Sequence, residues 1–314
     1  MQSVNNDRHN LSSHHDAGQS DVARVLVVGE VLWDRFPNST RLGGAPLNFA
    51  VHLKRLKHCP LLISALGTDS TGEEARRAIH ALDLDATLIQ STNRFRTGDA
   101  TVYIGPSGQT SFTIERPAAY DGVELSDGIT NQLIAWNPSW FYHGTLFPSY
   151  PSSQELLFQL LRTLPNAARF YDLNVRPGFD RPDLIKNLLR SADVVKLNEE
   201  ELQFVHECIG LPSDPEEFCR AGADRYNWRA ACVTLGARGC AMLVAGDYVE
   251  ADGFPVDVAD TVGAGDAFAA AFLHGLISSW PPAKIAEFSN RIGAFVASIH
   301  GAIPDHTPDA LFNV

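Results

Sequence analysis

Five short apolar runs recur along this chain and constrain its fold more than any other feature. The first is Arg24-Val25-Leu26-Val27-Val28-Gly29, and the others lie at 61–65, 169–173, 193–197 and 230–235. Short continuous apolar runs of this kind read as strands buried on both faces. Between them fall segments of helical periodicity, at about 46–57, 71–82, 152–163 and 182–191. Strand and helix alternating at this spacing imply βαβ units. The expected fold is α/β: a doubly wound, mostly parallel sheet with helices on both faces. The C-terminal part is more helical, with one apolar helix from Ala264 to Ile277 and another over 282–299, opened by Pro281-Pro282.

One segment breaks the alternation. Between Thr97 and Glu115, two β-rich runs (99–104 and 110–114) flank the turn Gly105-Pro106-Ser107-Gly108, which is a hairpin signal. Inside a doubly wound fold such a hairpin either covers a site or edges the sheet. The first 22 residues are polar, rich in Asn, Ser, His, Asp and Gln, and read as a disordered tail. A metal on His14-His15 is the lesser reading there.

Charge narrows the partners. The formal net charge is −12, which argues against nucleic acid and anionic membranes, since both need a basic face. The longest apolar runs, such as 267–273, fall far short of the ~18 residues of a membrane span. No secretory h-region opens the chain. Five cysteines, an odd number with no C-x-x-C pair, suggest neither a disulfide framework nor a zinc ribbon. A reducing compartment, the cytoplasm, is expected, with buried or inert thiols.

The strongest chemical signal is Asp260-Thr261-Val262-Gly263-Ala264-Gly265-Asp266-Ala267-Phe268. Two glycines and a small residue lead into an apolar helix, whose N-terminus offers unpaired N–H groups and a positive dipole end. This suits an anion, above all a phosphoryl group gaining charge in its transition state. Asp266 stands beside that hole, where a carboxylate can take a proton from an attacking hydroxyl. Taken alone, it equally well complements the helix dipole. With Phe268 at the third glycine position the motif is not a dinucleotide fingerprint, and the chain has no P-loop.

This nine-residue stretch resembles the C-terminal signature of the ribokinase-like (PfkB) carbohydrate kinases. The N-terminal signature stands in Gly43-Gly44-Ala45-Pro46-Leu47-Asn48-Phe49-Ala50. The resemblance implies one kinase domain over 23–314, with a β lid from about 33–42 and 95–116. It implies Asp266 as the catalytic base and Gly263, Ala264 and Gly265 as the anion hole. Asp34, Gly43, Gly44 and Asn48 match sugar-binding positions. Thr234, Gly236 and Gly239 match the nucleotide loop, although alone they read as a β-turn between strands. Asn290 matches an adenine-side position. Asn198 and Glu201 match an Asn-x-x-Glu pair that orders Mg²⁺ and phosphate through water; the same residues also form a capping box. Arg176, in Asp172-Leu173-Asn174-Val175-Arg176-Pro177, can reach a phosphate or the substrate's anionic end, or simply lie on the surface. Some members hold K⁺ beside the anion hole, and Asp260 with the backbone of Val262 match part of that site.

The implied reaction is ATP-dependent phosphorylation of a primary sugar hydroxyl. Asp34, the Gly-Gly-Ala-Pro loop and the hairpin are most similar to fructokinases, so D-fructose is the first expectation. A 2-keto-3-deoxygluconate, an aminoimidazole riboside or another furanoside is the alternative. A sugar acid needs a cation facing its carboxylate. The candidates are Arg35, Arg41, Lys54, Arg55, Lys57, Arg94, Arg96 and Arg116 beside Arg176, and none is clearly dedicated to that task. A homodimer through the lid is expected. The reading from a different class is a sugar-binding regulator that has lost catalysis; the intact Asp266 and its glycines favour an enzyme.

Overall fold

The computed structural model describes residues 22–104 and 110–304. The expected tail, with His14-His15, lies outside the described residues except for Val22, as does the hairpin turn at 105–108. Two sheets organise the chain. The larger has nine strands in the order β13-β12-β11-β10-β9-β8-β1-β4-β5. Its parallel part runs through β11 (Ala230–Thr234), β10 (Val194–Asn198), β9 (Ala168–Asp172), β8 (Trp140–His143), β1 (Arg24–Val28), β4 (Cys59–Gly67) and β5 (Ile89–Thr92). An antiparallel hairpin, β12 (Cys240–Val244) with β13 (Asp247–Ala251), closes one edge.

Alternate residues of one strand feed two cores, as the pleat requires. Val25 and Val27 of β1 pack on the face that carries α1 (Ala45–Arg55), α8 (Ala264–Ile277) and α9 (Pro282–Ala297). Leu26 and Val28 pack on the opposite face, with α4 (Pro151–Thr163), α5 (Pro182–Ser191), α6 (Glu199–Ile209) and α7 (Pro215–Tyr226). Both faces are covered, as the continuous apolar strands demand. The helices α2 (Ser70–Ala81) and α3 (Asp127–Trp136) complete the set.

The smaller sheet has four strands in the order β3-β2-β6-β7: β2 (Leu32–Phe36), β3 (Ser39–Gly43), β6 (Gly98–Ile104) and β7 (Thr110–Ile114). The pairs β2–β3 and β6–β7 are antiparallel hairpins, joined by parallel pairing of β2 with β6.

The structure also differs from the sequence expectations at particular points. The central strand β8 is only four residues, Trp-Phe-Tyr-His, too short and too aromatic to announce itself by periodicity. Its Tyr142 stacks on Phe49 at 3.7 Å between ring centres. The thiols also divide: Cys219, Cys232 and Cys240 are buried, whereas Cys59 and Cys208 are exposed, and all five are free.

Candidate active site

The carboxyl ends of the parallel strands meet the small sheet at a cavity of about 400 Å³, where open α/β sheets characteristically bind ligands. Glu30 comes from just beyond β1, Asp34 from β2, and Asn174 and Arg176 from beyond β9. Ala100 and Ile114 of the small sheet cover it. Gly44 and Asn48 enter from the start of α1, and Val262, Gly263, Gly265 and Asp266 from the start of α8. Among the described lining residues, Arg176 is the one cation.

The loop before α8 is built for close approach. Gly263 has φ 81°, a left-handed conformation that favours glycine. A side chain there would also strike the Ala302 backbone at 2.5 Å. The Ala264 N–H makes a long bond back to the Thr261 carbonyl, 3.3 Å, which leaves those of Gly265 and Asp266 as the leading donors of the helix end. Asp266 accepts a hydrogen bond from Asn48 Nδ2 at 2.8 Å, while Asn48 Oδ1 is buried with no partner in the protein. Gly43 lies behind the cavity rather than in it: a Cβ there would come within 2.1 Å of Asp34 Oδ2. Its bareness is what lets the Asp34 carboxylate sit where it does.

Burial sets the acid–base character of this cavity. It raises Asp266 to about 7; the Asn48 hydrogen bond opposes, nearby Asp172 adds to the rise, and Lys196 and Arg176 oppose it. Burial likewise lifts Glu30 to about 7 and Asp34 to about 6, the latter against Arg176 and Arg41. Glu30 escaped the sequence reading, because nothing local distinguishes it from a loop carboxylate. Lys196 also escaped it. Its Nζ donates to Asp172 Oδ1 at 2.9 Å, both side chains being buried, and lies 3.8 Å from where a Cβ on Gly265 would be. A fixed cation thus stands behind the helix end. Tyr142 donates to the other Asp172 oxygen at 3.2 Å.

A second cavity, about 570 Å³, opens on the far side of the same loop and shares Thr261 and Gly265 with the first. Thr234, Gly236, Gly239, Ala264 and Asn290 line it, together with Phe254, Val256 and Phe268. Asn290 Nδ2 donates to the carbonyls of Ala251 and Asp252, each at 3.1 Å. Asn198 and Glu201 line neither cavity. They form the expected capping box at the start of α6, and Asn198 pairs in register with Thr234. Glu201 is buried, and its oxygens accept from the N–H groups of Val175 (2.7 Å) and Asn198 (2.9 Å). Asp260 accepts from Arg41 Nη1 at 2.6 Å, from Val262 N at 3.0 Å and from Gly301 N at 3.2 Å. The other cations weighed for a sugar acid are mostly engaged: Arg35 with Asp99, Lys54 with Asp83, Arg94 with Glu124, and Arg116 with Asp121 and nearby carbonyls.

Comparison with known proteins agrees with this arrangement. The family model described as "pfkB family carbohydrate kinase" matches residues 26–310. A fructokinase of Escherichia coli is 30% identical over 301 residues, covering 90% of this chain and 95% of that protein. The fold matches a Vibrio cholerae fructokinase solved with fructose, ADP and calcium (TM-score 0.75, 22% identity, 93% of this chain and 98% of that one). It matches equally a 2-dehydro-3-deoxygluconokinase from Thermotoga maritima (TM-score 0.79, 18% identity, 93% and 98%). A match across residues 26–310, with both signature motifs meeting at one cavity, settles the family: the chain belongs to the pfkB carbohydrate kinases, phosphotransferases with an alcohol group as acceptor.

Proposed function

We propose that the protein transfers the γ-phosphoryl group of ATP to a primary hydroxyl of D-fructose. One observation carries this reading. A polar cavity with three carboxyls and a single guanidinium meets a larger, mostly apolar cavity across one glycine loop. The first suits a neutral polyol, whose hydroxyls donate to Asp34 and to the unpartnered Asn48 Oδ1. The second suits a nucleobase and ribose, with Asn290 and the 236–239 turn at its wall.

The sugar hydroxyl lies between Asp266 and the helix end. Its oxygen attacks the γ-phosphorus, the bond to the bridging oxygen of ADP breaks, and the proton passes to the Asp266 carboxylate. A base near pH 7 is matched to that task. The N–H groups of Gly265 and Asp266, with Lys196 behind them, take up charge on the transferred group. Among the described residues no cluster of three or more His, Cys, Asp or Glu is disposed to hold a metal. Mg²⁺ carried chiefly by phosphates and water needs few protein ligands; Glu201, the candidate for its water shell, has both oxygens taken by the N–H groups of Val175 and Asn198 and lines neither cavity. Mg²⁺ when bound neutralises phosphate charge. A K⁺ ion beside Asp260 would share that carboxylate with Arg41, and no step here depends on one. The small sheet shields the sugar from water. Exposed Tyr103 on β6 supports self-association through that sheet, and five unpaired cysteines fit a reducing compartment.

A sugar acid is the second reading, because Arg176 could pair with its carboxylate. An ATP-dependent phosphorylation screen over fructose, 2-keto-3-deoxygluconate, aminoimidazole riboside and ribose decides. Fructose should give the highest kcat/KM; 2-keto-3-deoxygluconate ahead of fructose would overturn the neutral-sugar reading. Sugar binding without transfer to any of them would favour a regulator.

A further inference from the structure

Arg41 joins two parts of the molecule that are far apart in sequence and meet at the reaction site. It lies on β3 of the small sheet, directly opposite Asp34 in the β2–β3 register. Its guanidinium holds the Asp260 carboxylate at 2.6 Å and lies over the Phe36 ring, 4.8 Å from its centre. Asp260 is mostly buried, 13% exposed against 36% for Arg41, so the pair is shielded more than a surface ion pair. The same carboxylate accepts from the N–H groups of Val262 and Gly301. Those bonds hold the turn that leads into Gly263, and they hold the 300–302 segment against which Gly263 packs. From behind, the N–H groups of Ala259 and Asp260 are tied to the Ala297 carbonyl at 2.9 and 3.1 Å. The loop is therefore fixed on one side by α9 and held on the other by the Arg41 side chain of the small sheet.

We propose that Arg41 is a positioning residue that links the sugar-side sheet to the phosphoryl-receiving loop. The chain of contact runs from Asp34 to Arg41, Asp260 and the Val262 N–H. Strands that carry a sugar-contacting carboxylate thereby set the geometry of the helix end on the other side of the cavity. A sugar seated on Asp34 steadies β2 and β3, and with them the loop; without one, the loop is less well formed and the nucleotide is less prone to react with water. This inference rests on the kinase reading above.

The test is Arg41→Gln beside Arg41→Lys, with Asp260→Asn to complete a double-mutant cycle. In Arg41→Gln, kcat for sugar phosphorylation should fall roughly tenfold, the scale of one charge-assisted hydrogen bond, with the KM for ATP nearly unchanged. ATP hydrolysis without sugar should stay at or below the wild-type rate. Arg41→Lys and added millimolar guanidinium ion should each restore part of the rate, and the Arg41 and Asp260 effects should not add. Hydrogen exchange in the ligand-free proteins gives a readout that needs no turnover: amides of 261–265 should exchange several-fold faster in Arg41→Gln. Unchanged kcat and exchange in a folded Arg41→Gln overturn the proposal. So does a loss of rate that is additive with Asp260→Asn and blind to guanidinium, since that marks a merely structural role. A wild-type protein that phosphorylates no sugar overturns the kinase reading instead, and the exchange comparison still decides whether Arg41 orders the loop.

Discussion

Replacing Asp266 with Asn separates the catalytic reading from a structural one. The carboxylate accepts from Asn48 Nδ2, and an amide oxygen at residue 266 can accept the same bond. The cavity should therefore keep its shape and its affinity for sugar. What disappears is the proton acceptor, and a positioned acid–base group is worth about 10²–10⁴-fold in rate. The N–H groups and Lys196 remain, so activity should fall to that level rather than vanish. The pH profile gives a sharper signature. With Asp266 raised to about 7 by burial, only about a tenth is ionised one unit below that value, so kcat/KM for the wild type should drop nearly tenfold per unit on the acid side. The Asn variant should lose the part of this limb that Asp266 carries and keep a shallower one from Glu30 and Asp34. Steady-state kinetics from pH 5 to 9 with saturating ATP make the comparison. A variant that kept kcat within about threefold of wild type, below the range expected of such a group, or that retained the same acid limb, would refute the assignment of Asp266 as base.

Three further outcomes follow from the same structure. Asp34→Ala removes a charge-assisted acceptor worth about 1.5–3 kcal/mol and should raise the fructose KM by about 10–100-fold while that for ATP stays fixed; equal rises in both would detach Asp34 from the sugar. Lys196→Met leaves the buried Asp172 carboxylate without its cation and should cost about 3–5 kcal/mol in denaturant unfolding. Adding Asp172→Asn should recover part of that loss, and no recovery would speak against the ion pair as the cause. His58 and His274 are hydrogen-bonded to each other at 2.9 Å and both are lowered to about 4, chiefly by burial. Their folded values lie below the unfolded one, so the stability they contribute is present above about pH 6.5 and lost as pH falls towards 4. The raised carboxyls of the cavity act in the opposite sense. The measurement is therefore the difference between wild type and His274→Leu, which should narrow on acidification; a gap that stays constant from pH 7 to 4 would exclude the pair as an acid-labile element.

The large sheet was legible because a parallel strand buried on both faces is written as a local apolar run. β1, β4, β9, β10 and β11 all carry one. β8 was not, because its four residues include three aromatics and a histidine, whose burial depends on Phe49 and on flanking strands rather than on any local period. The edge hairpin β12–β13 was hidden for a related reason: β13 is half exposed, so its pattern resembles a loop. The capping box at Asn198 and Glu201 was readable because both partners lie within one helical turn. The glycine loops were readable for the same reason, since the left-handed turn at Gly263 must be made by the residue that adopts it.

The electrostatics of the site could not be read that way. Glu30 follows β1 in sequence and looks like any turn carboxylate; it becomes a raised, cavity-lining acid only because Gly44, Asn48 and Asp266 arrive from α1 and α8 to exclude water. Lys196 and Asp172, 24 residues apart, face each other in the register of adjacent strands β10 and β9. Arg41 and Asp260 are separated by 219 residues. In each case the sequence supplies the charge, while the strand order decides what the charge meets. The consequence reaches the substrate. Arg41 and Arg116, both open candidates for a substrate carboxylate by position alone, are held by Asp260 and Asp121. A sugar acid entering the first cavity would bring a further negative charge among Glu30, Asp34 and Asp266, with Arg176 the one cation among the described lining residues. A neutral ketose brings only hydroxyls, which those carboxyls and Asn48 Oδ1 can accept.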